Sequence, residues 1–303
     1  VITPQMIAGY KDCGFGVIRI PVAWSNLMNN ETYEINEALM ARVKQIVEYA
    51  LACDMYVILN IHWDGGWFEN FPTDYDECMK KYTTIWTQIA DNFKAYGDML
   101  MFESLNEEGC WDSVWNRWSG NDTNRQEAYD ILNDMNQNFV NIVRNSGGNN
   151  ANRHLLIAGY ATDIELTCSD CFKMPDDPTG RCAVSVHYYT PSTFCILSED
   201  ADWGKADPEW GDEADLEQLN SLMDMIANKF TKNGIPVIVG EYGVAQENKT
   251  PEQVRNFMVT VTIAISSRNM CPVIWDTTGS FYSRYKCDFI DQTLLQQLQD
   301  VGV

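Results

Sequence analysis

The chain has 303 residues, 45% of them apolar, with a formal charge of −22, which allows one large domain with a buried core. Such a negative field repels nucleic acid, anionic lipid and polyanionic polymers, whereas a neutral substrate meets no penalty. No apolar run reaches membrane-spanning length and no Pro- or Ser-rich linker divides the sequence, so a single domain over residues 1–303, without membrane or nucleic-acid partners, is expected.

Thr3-Pro4 ahead of Gln5–Tyr10 reads as an N-cap followed by proline at the first helical position, so the chain opens on a helix. The β-branched run Val17–Pro21 is a strand, and the spacing of Leu39, Val43, Ile46, Val47 and Ala50 marks a helix after it. Further apolar strands fall at Tyr56–His62, Leu100–Asn106, His154–Tyr160, Ala183–Tyr189, Pro236–Tyr242 and Cys271–Asp276, with helical patterns such as Tyr82–Tyr96 and Gln126–Val143 between them. Strands apolar along their whole length and separated by helices indicate an α/β fold with a parallel sheet covered on its outer face. An open, doubly wound sheet normally carries a glycine-rich phosphate loop after an early strand, and none is present. Instead Arg19, His62, Asn106-Glu107, His187-Tyr188-Tyr189, Glu241 and Trp275 stand at the C-terminal ends of strands, where (β/α)8 TIM-barrel enzymes keep their active sites.

Three glutamates crowd the stretch Phe102–Trp111. Side chains alternate along a strand, so Glu103 lies deep, Glu107 at the exit and Glu108 already in the loop. A deep carboxylate is most often a structural group held by a cation, and Arg19 is the candidate partner for Glu103. Glu107 is placed to reach a substrate, and Glu241 is a second carboxylate at a strand end. Two such carboxylates can cleave a glycosidic bond, or both can be rim residues paired to Arg or Lys. The ten tryptophans favour the first reading, because sugar rings stack on flat aromatic faces; Trp24, Trp63, Trp67, Trp111, Trp115, Trp203 and Trp275 lie at or just beyond strand ends.

Arg19-Ile20-Pro21, Asn60-Ile61-His62, Leu105-Asn106-Glu107, His187-Tyr188-Tyr189, Gly240-Glu241-Tyr242-Gly243 and Ile274-Trp275-Asp276 together resemble the successive strand-end signatures of glycoside hydrolase family 5, in the family's order from about Thr3 onward. The resemblance implies a retaining hydrolase with Glu107 as acid/base and Glu241 as nucleophile, the two carboxyls ~5–5.5 Å apart. It further implies that Arg19 holds Glu241 ionised, Asn106 bonds the sugar 2-hydroxyl, and Tyr189 positions Glu241. His62 and His187 would bond substrate or the catalytic carboxylates, and Trp275 would floor the site. The family chemistry needs no cofactor or metal, and the three histidines lack metal-ligand spacing. Two departures stand out. Glu108 replaces the proline that usually follows Asn-Glu, and no Gly-Asn-rich strand precedes Thr3, so a barrel without its first strand is expected.

His62-Trp63-Asp64 and Trp203-Gly204 are more like the endo-β-1,4-glucanase branch, so cellulose and mixed-linkage β-glucan, with xyloglucan as a further one, are the expected polysaccharide substrates, acted on by a monomer. A mannanase or xylanase on the same barrel, or a carbohydrate-binding protein without catalysis, are the alternatives. The long acidic, Trp-bearing segment from Pro191 to Asp215 reads as a cleft wall or a decorated surface loop. Ten cysteines without zinc-type pairing point to disulfides and a secreted protein, with Cys78 and Cys110 a plausible pair; buried thiols are the alternative.

Overall fold

The computed structural model of the protein describes residues 1–276 and 279–302. Its main sheet has seven strands hydrogen-bonded in the order in which the chain makes them: β1 (Val17–Ile20), β2 (Tyr56–Asn60), β3 (Leu100–Glu103), β4 (Leu155–Ala158), β5 (Cys182–Tyr188), β6 (Val237–Tyr242) and β7 (Cys271–Ile274). The registers are parallel, for example Val17 with Tyr56, Val57 with Leu100 and Leu155 with Cys182. Helices alternate with these strands, and the fold class is the (β/α)8 barrel, with seven main-sheet strands among the described residues where the full pattern has eight. Chain contacts gather into two compact units, residues 17–185 and residues 1–16 with 186–303.

In the unit of residues 17–185, α2 (Glu37–Ala52), α3 (Tyr75–Phe93) and α4 (Arg125–Asn145) each bury one stripe. On α3 the stripe is Cys78, Tyr82, Ile85, Trp86, Ile89 and Phe93, the three- and four-residue spacing of a helix face laid on a sheet. Trp86 meets Phe139 of α4 edge-on at 4.5 Å and Phe102 of β3 at 5.6 Å between ring centroids. At the other end of β3, the wholly buried Arg153 finds carbonyls in place of a carboxylate. Its guanidinium donates to Phe93 O, Tyr96 O, Gly97 O and Leu100 O, and its Nε to Asn150 Oδ1. The charge thereby closes the end of α3 and the turn into β3, and burial pulls its pKa down to about 10.

The other unit begins with α1 (Pro4–Asp12), capped as its sequence indicates by Thr3, whose hydroxyl accepts the Met6 N–H at 3.2 Å. A two-stranded antiparallel ribbon, β8 (Tyr282–Ser283) with β9 (Asp288–Phe289), holds this helix. Tyr282 stacks on Tyr10 at 3.8 Å and donates its hydroxyl to Met6 O at 2.9 Å. Gly9 permits that approach, since a Cβ there would stand 2.2 Å from Cys287 O. The unit also contains α5 (Glu213–Lys229), α6 (Pro251–Ser266) and α7 (Gln292–Asp300). Among the described residues no helix is long and apolar enough to cross a membrane.

The cysteine expectation needs correction. All ten cysteines are unbridged thiols, Cys78 and Cys110 included. Their count signals packing rather than oxidation: Cys13, Cys78 and Cys195 are buried as small apolar groups, and Cys78 Sγ and Cys182 Sγ approach Trp67 O and Asp177 Oδ2 instead of a second sulfur.

Candidate active site

Arg19 leaves β1 with a side chain almost fully buried and donates from Nε to Glu103 Oε2 at 2.6 Å. Glu103 is completely buried, and three strands supply its partners, because Asn60 Nδ2 of β2 and Ser185 Oγ of β5 also donate to it at 3.0 and 2.6 Å. The expected Arg19–Glu103 pairing is therefore present. The same guanidinium donates from Nη2 to Asn106 Oδ1 at 2.9 Å, which fixes the amide of Asn106 three residues past the end of β3.

Sequence reasoning missed the network that aims the chain at this exit. Ser104 Oγ donates to Asn136 Oδ1 of α4 at 2.6 Å, and Asn136 Nδ2 donates to Ala158 O at 3.1 Å. Tyr82 Oη and Trp86 Nε1 of α3 both donate to Ser104 O. All four side chains are wholly buried, so every bond is formed out of competition with water. Beyond this anchor Glu107 is exposed and Glu108 half-buried. Burial, with Glu69, Glu107 and Asp64 adding like charge, pushes the Glu108 carboxyl up to about 8.

The turn after β2 is braced as well. His62 N–H donates to Val22 O at 3.0 Å, and the buried Asp64 accepts from Ser25 N–H at 2.7 Å and Trp67 Nε1 at 2.9 Å. Trp63, between His62 and Asp64, stands 66% exposed. The tryptophans divide sharply. Trp63 and Trp203 are exposed, whereas Trp24, Trp111 and Trp115 belong to the core and are no platforms; exposed Trp118 escaped notice in the sequence because it lies deep in a loop.

In the other unit, Glu241 is buried near the end of β6 at an irregularity in the ladder: Val239 pairs with Pro272 and Tyr242 with Ile274, so three steps on β6 match two on β7. A bulge of this kind re-aims a side chain. Tyr189, just past β5, donates its hydroxyl to Glu241 Oε2 at 3.0 Å, and the buried His187 places Nδ1 3.7 Å from the same oxygen. Trp275 follows β7, its N–H bonded to Tyr242 O at 2.9 Å. Asp276 anchors the descent from that strand by accepting from the N–H groups of Ser280 and Tyr282. The segment after β5 is short of regular structure but tied down: Ala201 and Gly204 bridge to each other, Asp207 N–H donates to Thr193 O, and Trp203 rides the tip of the turn, 59% exposed.

Held polar side chains at the C-terminal ends of barrel strands, such as Asn106 and Glu241 here, are the arrangement from which (β/α)8 enzymes build their active sites. Residues 2–280 match the family model described as cellulase (glycosyl hydrolase family 5), and the chain belongs to that family. It is 34% identical over 275 residues to endoglucanase B of Clostridium cellulovorans, a match that covers 90% of this chain and 60% of that protein. It is 35% identical to a xyloglucan-specific endo-beta-1,4-glucanase of Bacteroides ovatus, covering 90% and 57%. The chain thus spans little more than half the length of these curated relatives. Among solved structures, a lichenase from Caldicellulosiruptor in complex with cellotetraose superposes with a TM-score of 0.91 at 31% identity, covering 100% of this chain and 84% of that one. A broad-specificity endoglucanase from an uncultured bovine rumen ciliate gives 0.88 at 33%, covering 100% and 87%.

Proposed function

We propose that residues 1–303 form the single catalytic domain of a secreted, monomeric, retaining endo-β-1,4-glucanase acting on cellulose and mixed-linkage β-glucan, with xyloglucan as a further substrate. The observation that carries this reading is the pair of held strand-end glutamates, Glu107 beyond the Arg19-anchored Asn106 and Glu241 beneath Tyr189 and His187. The names of the relatives, endoglucanase, lichenase and xyloglucan-specific endo-beta-1,4-glucanase, support the substrate class.

In the first step the Glu241 carboxylate attacks the anomeric carbon while Glu107 gives its proton to the departing glycosidic oxygen, leaving a glycosyl ester on Glu241. In the second, Glu107 takes a proton from water as that water displaces Glu241, and net retention follows from two inversions. The Tyr189 hydroxyl and His187, with Arg19 in the role implied by the family, keep Glu241 aimed. Asn106 bonds the 2-hydroxyl, His62 bonds the substrate, and Trp275 lies under the sugar being cleaved.

Reducing-sugar release from carboxymethyl-cellulose, barley β-glucan, xyloglucan, xylan and mannan is the direct test, comparing the chain with Glu241→Ala. Release from the glucans that disappears in the variant is expected, with the β-anomer first in the proton NMR spectrum of the product. Preferred release from mannan or xylan would move the substrate, and a folded protein that binds glucan without releasing ends would make it a binding protein.

A further inference from the structure

Glu107 enters a loop in which Glu108 stands where the family's motif carries proline, so the stiffness of that ring is missing from the chain itself. The segment that follows β4 supplies a grip instead. Ala161 N–H donates to Glu108 O at 2.8 Å, and Tyr160 Oη accepts the Cys110 N–H at 3.0 Å. Between the two held peptides Gly109 adopts φ +130°, where a Cβ would press to 2.9 Å from the Tyr160 ring. Cys110, Ala161 and Thr162 all take left-handed backbone, with φ of 55°, 50° and 47°. Residues with side chains rarely adopt that region, and such strain persists only where the surroundings enforce it. The Tyr160 ring cannot swing away, since it stacks on Tyr129 at 3.9 Å and receives Trp111 edge-on at 6.2 Å.

We propose that Tyr160 and Ala161 are positioning residues for Glu107: by gripping the peptides on its C-terminal side they set where its carboxyl stands relative to the glycosidic oxygen. This rests on the acid/base assignment of Glu107. General-acid catalysis depends on hydrogen-bond geometry at the leaving oxygen, so a displaced acid harms substrates whose leaving group needs a proton and spares those whose leaving group departs unaided.

The test is a set of aryl β-cellobiosides running from dinitrophenyl to phenyl as leaving group, read as kcat/KM for the wild type, Glu107→Ala and Tyr160→Phe. Tyr160→Phe removes one hydrogen bond and is expected to lose about tenfold on the phenyl substrate while staying within about twofold on the dinitrophenyl one. Glu107→Ala should show a dependence on leaving group in the same direction, with a steeper slope. Gly109→Ala, which leaves Tyr160 intact but drives a methyl at its ring, should share the pattern and serves as the comparison if Tyr160→Phe does not fold. Equal losses on all substrates, or none, in both loop variants beside a sloped Glu107→Ala would overturn the positioning role alone. A Glu107→Ala variant without slope would remove the acid/base assignment and the positioning role together.

Discussion

The Nε of Arg19 lies 2.6 Å from Glu103 Oε2, and both side chains are shut away from water. Removing one member of such a pair strands the other as an uncompensated charge, which costs about 3–5 kcal/mol. Arg19→Met should therefore lower the unfolding free energy measured in urea by that amount while also freeing the Asn106 amide, so its activity should fall further than that of an equally destabilised variant elsewhere. A variant with wild-type stability would show that the pair is not what holds the deep carboxylate.

Glu108 holds its proton to about 8 in the folded chain, against an ordinary carboxyl value of 4.5. The folded state therefore binds more protons than the unfolded state between these values, and stability falls as pH rises from about 4.5 to about 8. Glu108→Gln abolishes this contribution. Its melting temperature should gain on the wild type progressively across that interval, and a constant offset from pH 5 to 8 would contradict the assignment.

Asp177 behaves in the opposite sense. Burial alone would raise its pKa, but the two-pronged Arg144 contact at 2.8 and 2.9 Å and the N–H groups of Thr179 and Arg181 outweigh it and hold the carboxyl well below the usual 3.8. The resulting stability is present above that value and lost as pH falls through and below it. Asp177→Asn should destabilise at pH 7 by about 3–5 kcal/mol, because Arg144 remains buried, and its stability should converge toward the wild type in acid. Urea titrations at pH 7 and pH 3 decide this.

Exposed and buried tryptophans should part company on mutation. Trp111→Ala empties a core site and should cost about 3–5 kcal/mol. Trp63→Ala and Trp203→Ala touch exposed rings and should leave stability within about 0.5 kcal/mol, while raising KM for polymeric glucan if the rings carry sugars. Thermal melts beside Michaelis curves on β-glucan separate the two groups.

The positions of all seven main-sheet strands were legible, because parallel strands buried on both faces write themselves as short apolar runs; Pro236–Tyr242 was expected and Val237–Tyr242 is observed. The expected runs overshoot mainly at their C-terminal ends, as with Leu100–Asn106 against Leu100–Glu103, since there the chain turns out of the ladder to present polar groups. Arg19, Asn106, His187, Tyr189 and Glu241 stood out for the same reason: a polar residue closing an apolar run demands an explanation. Tyr160, Ser104, Asn136 and Arg153 did not, because their importance lies in partners 18 to 60 positions away and no local pattern announces them. The ribbon of Tyr282–Ser283 with Asp288–Phe289 was equally silent, being too short for alternation to register.

The unbridged cysteines carry a practical corollary. Covalent cross-links shape many secreted proteins by limiting the coils that an unfolded chain explores, and this chain has no such tether to restore. Burial pushes the Cys78 thiol up to about 11 and the Cys182 thiol up to about 12, so at neutral pH they are poor nucleophiles toward oxidants and toward one another. Renaturation from urea should thus proceed in the presence of dithiothreitol, with no shuffling catalyst and no oxidant, and synthesis in a reducing cytosol should yield the same folded molecule as export would.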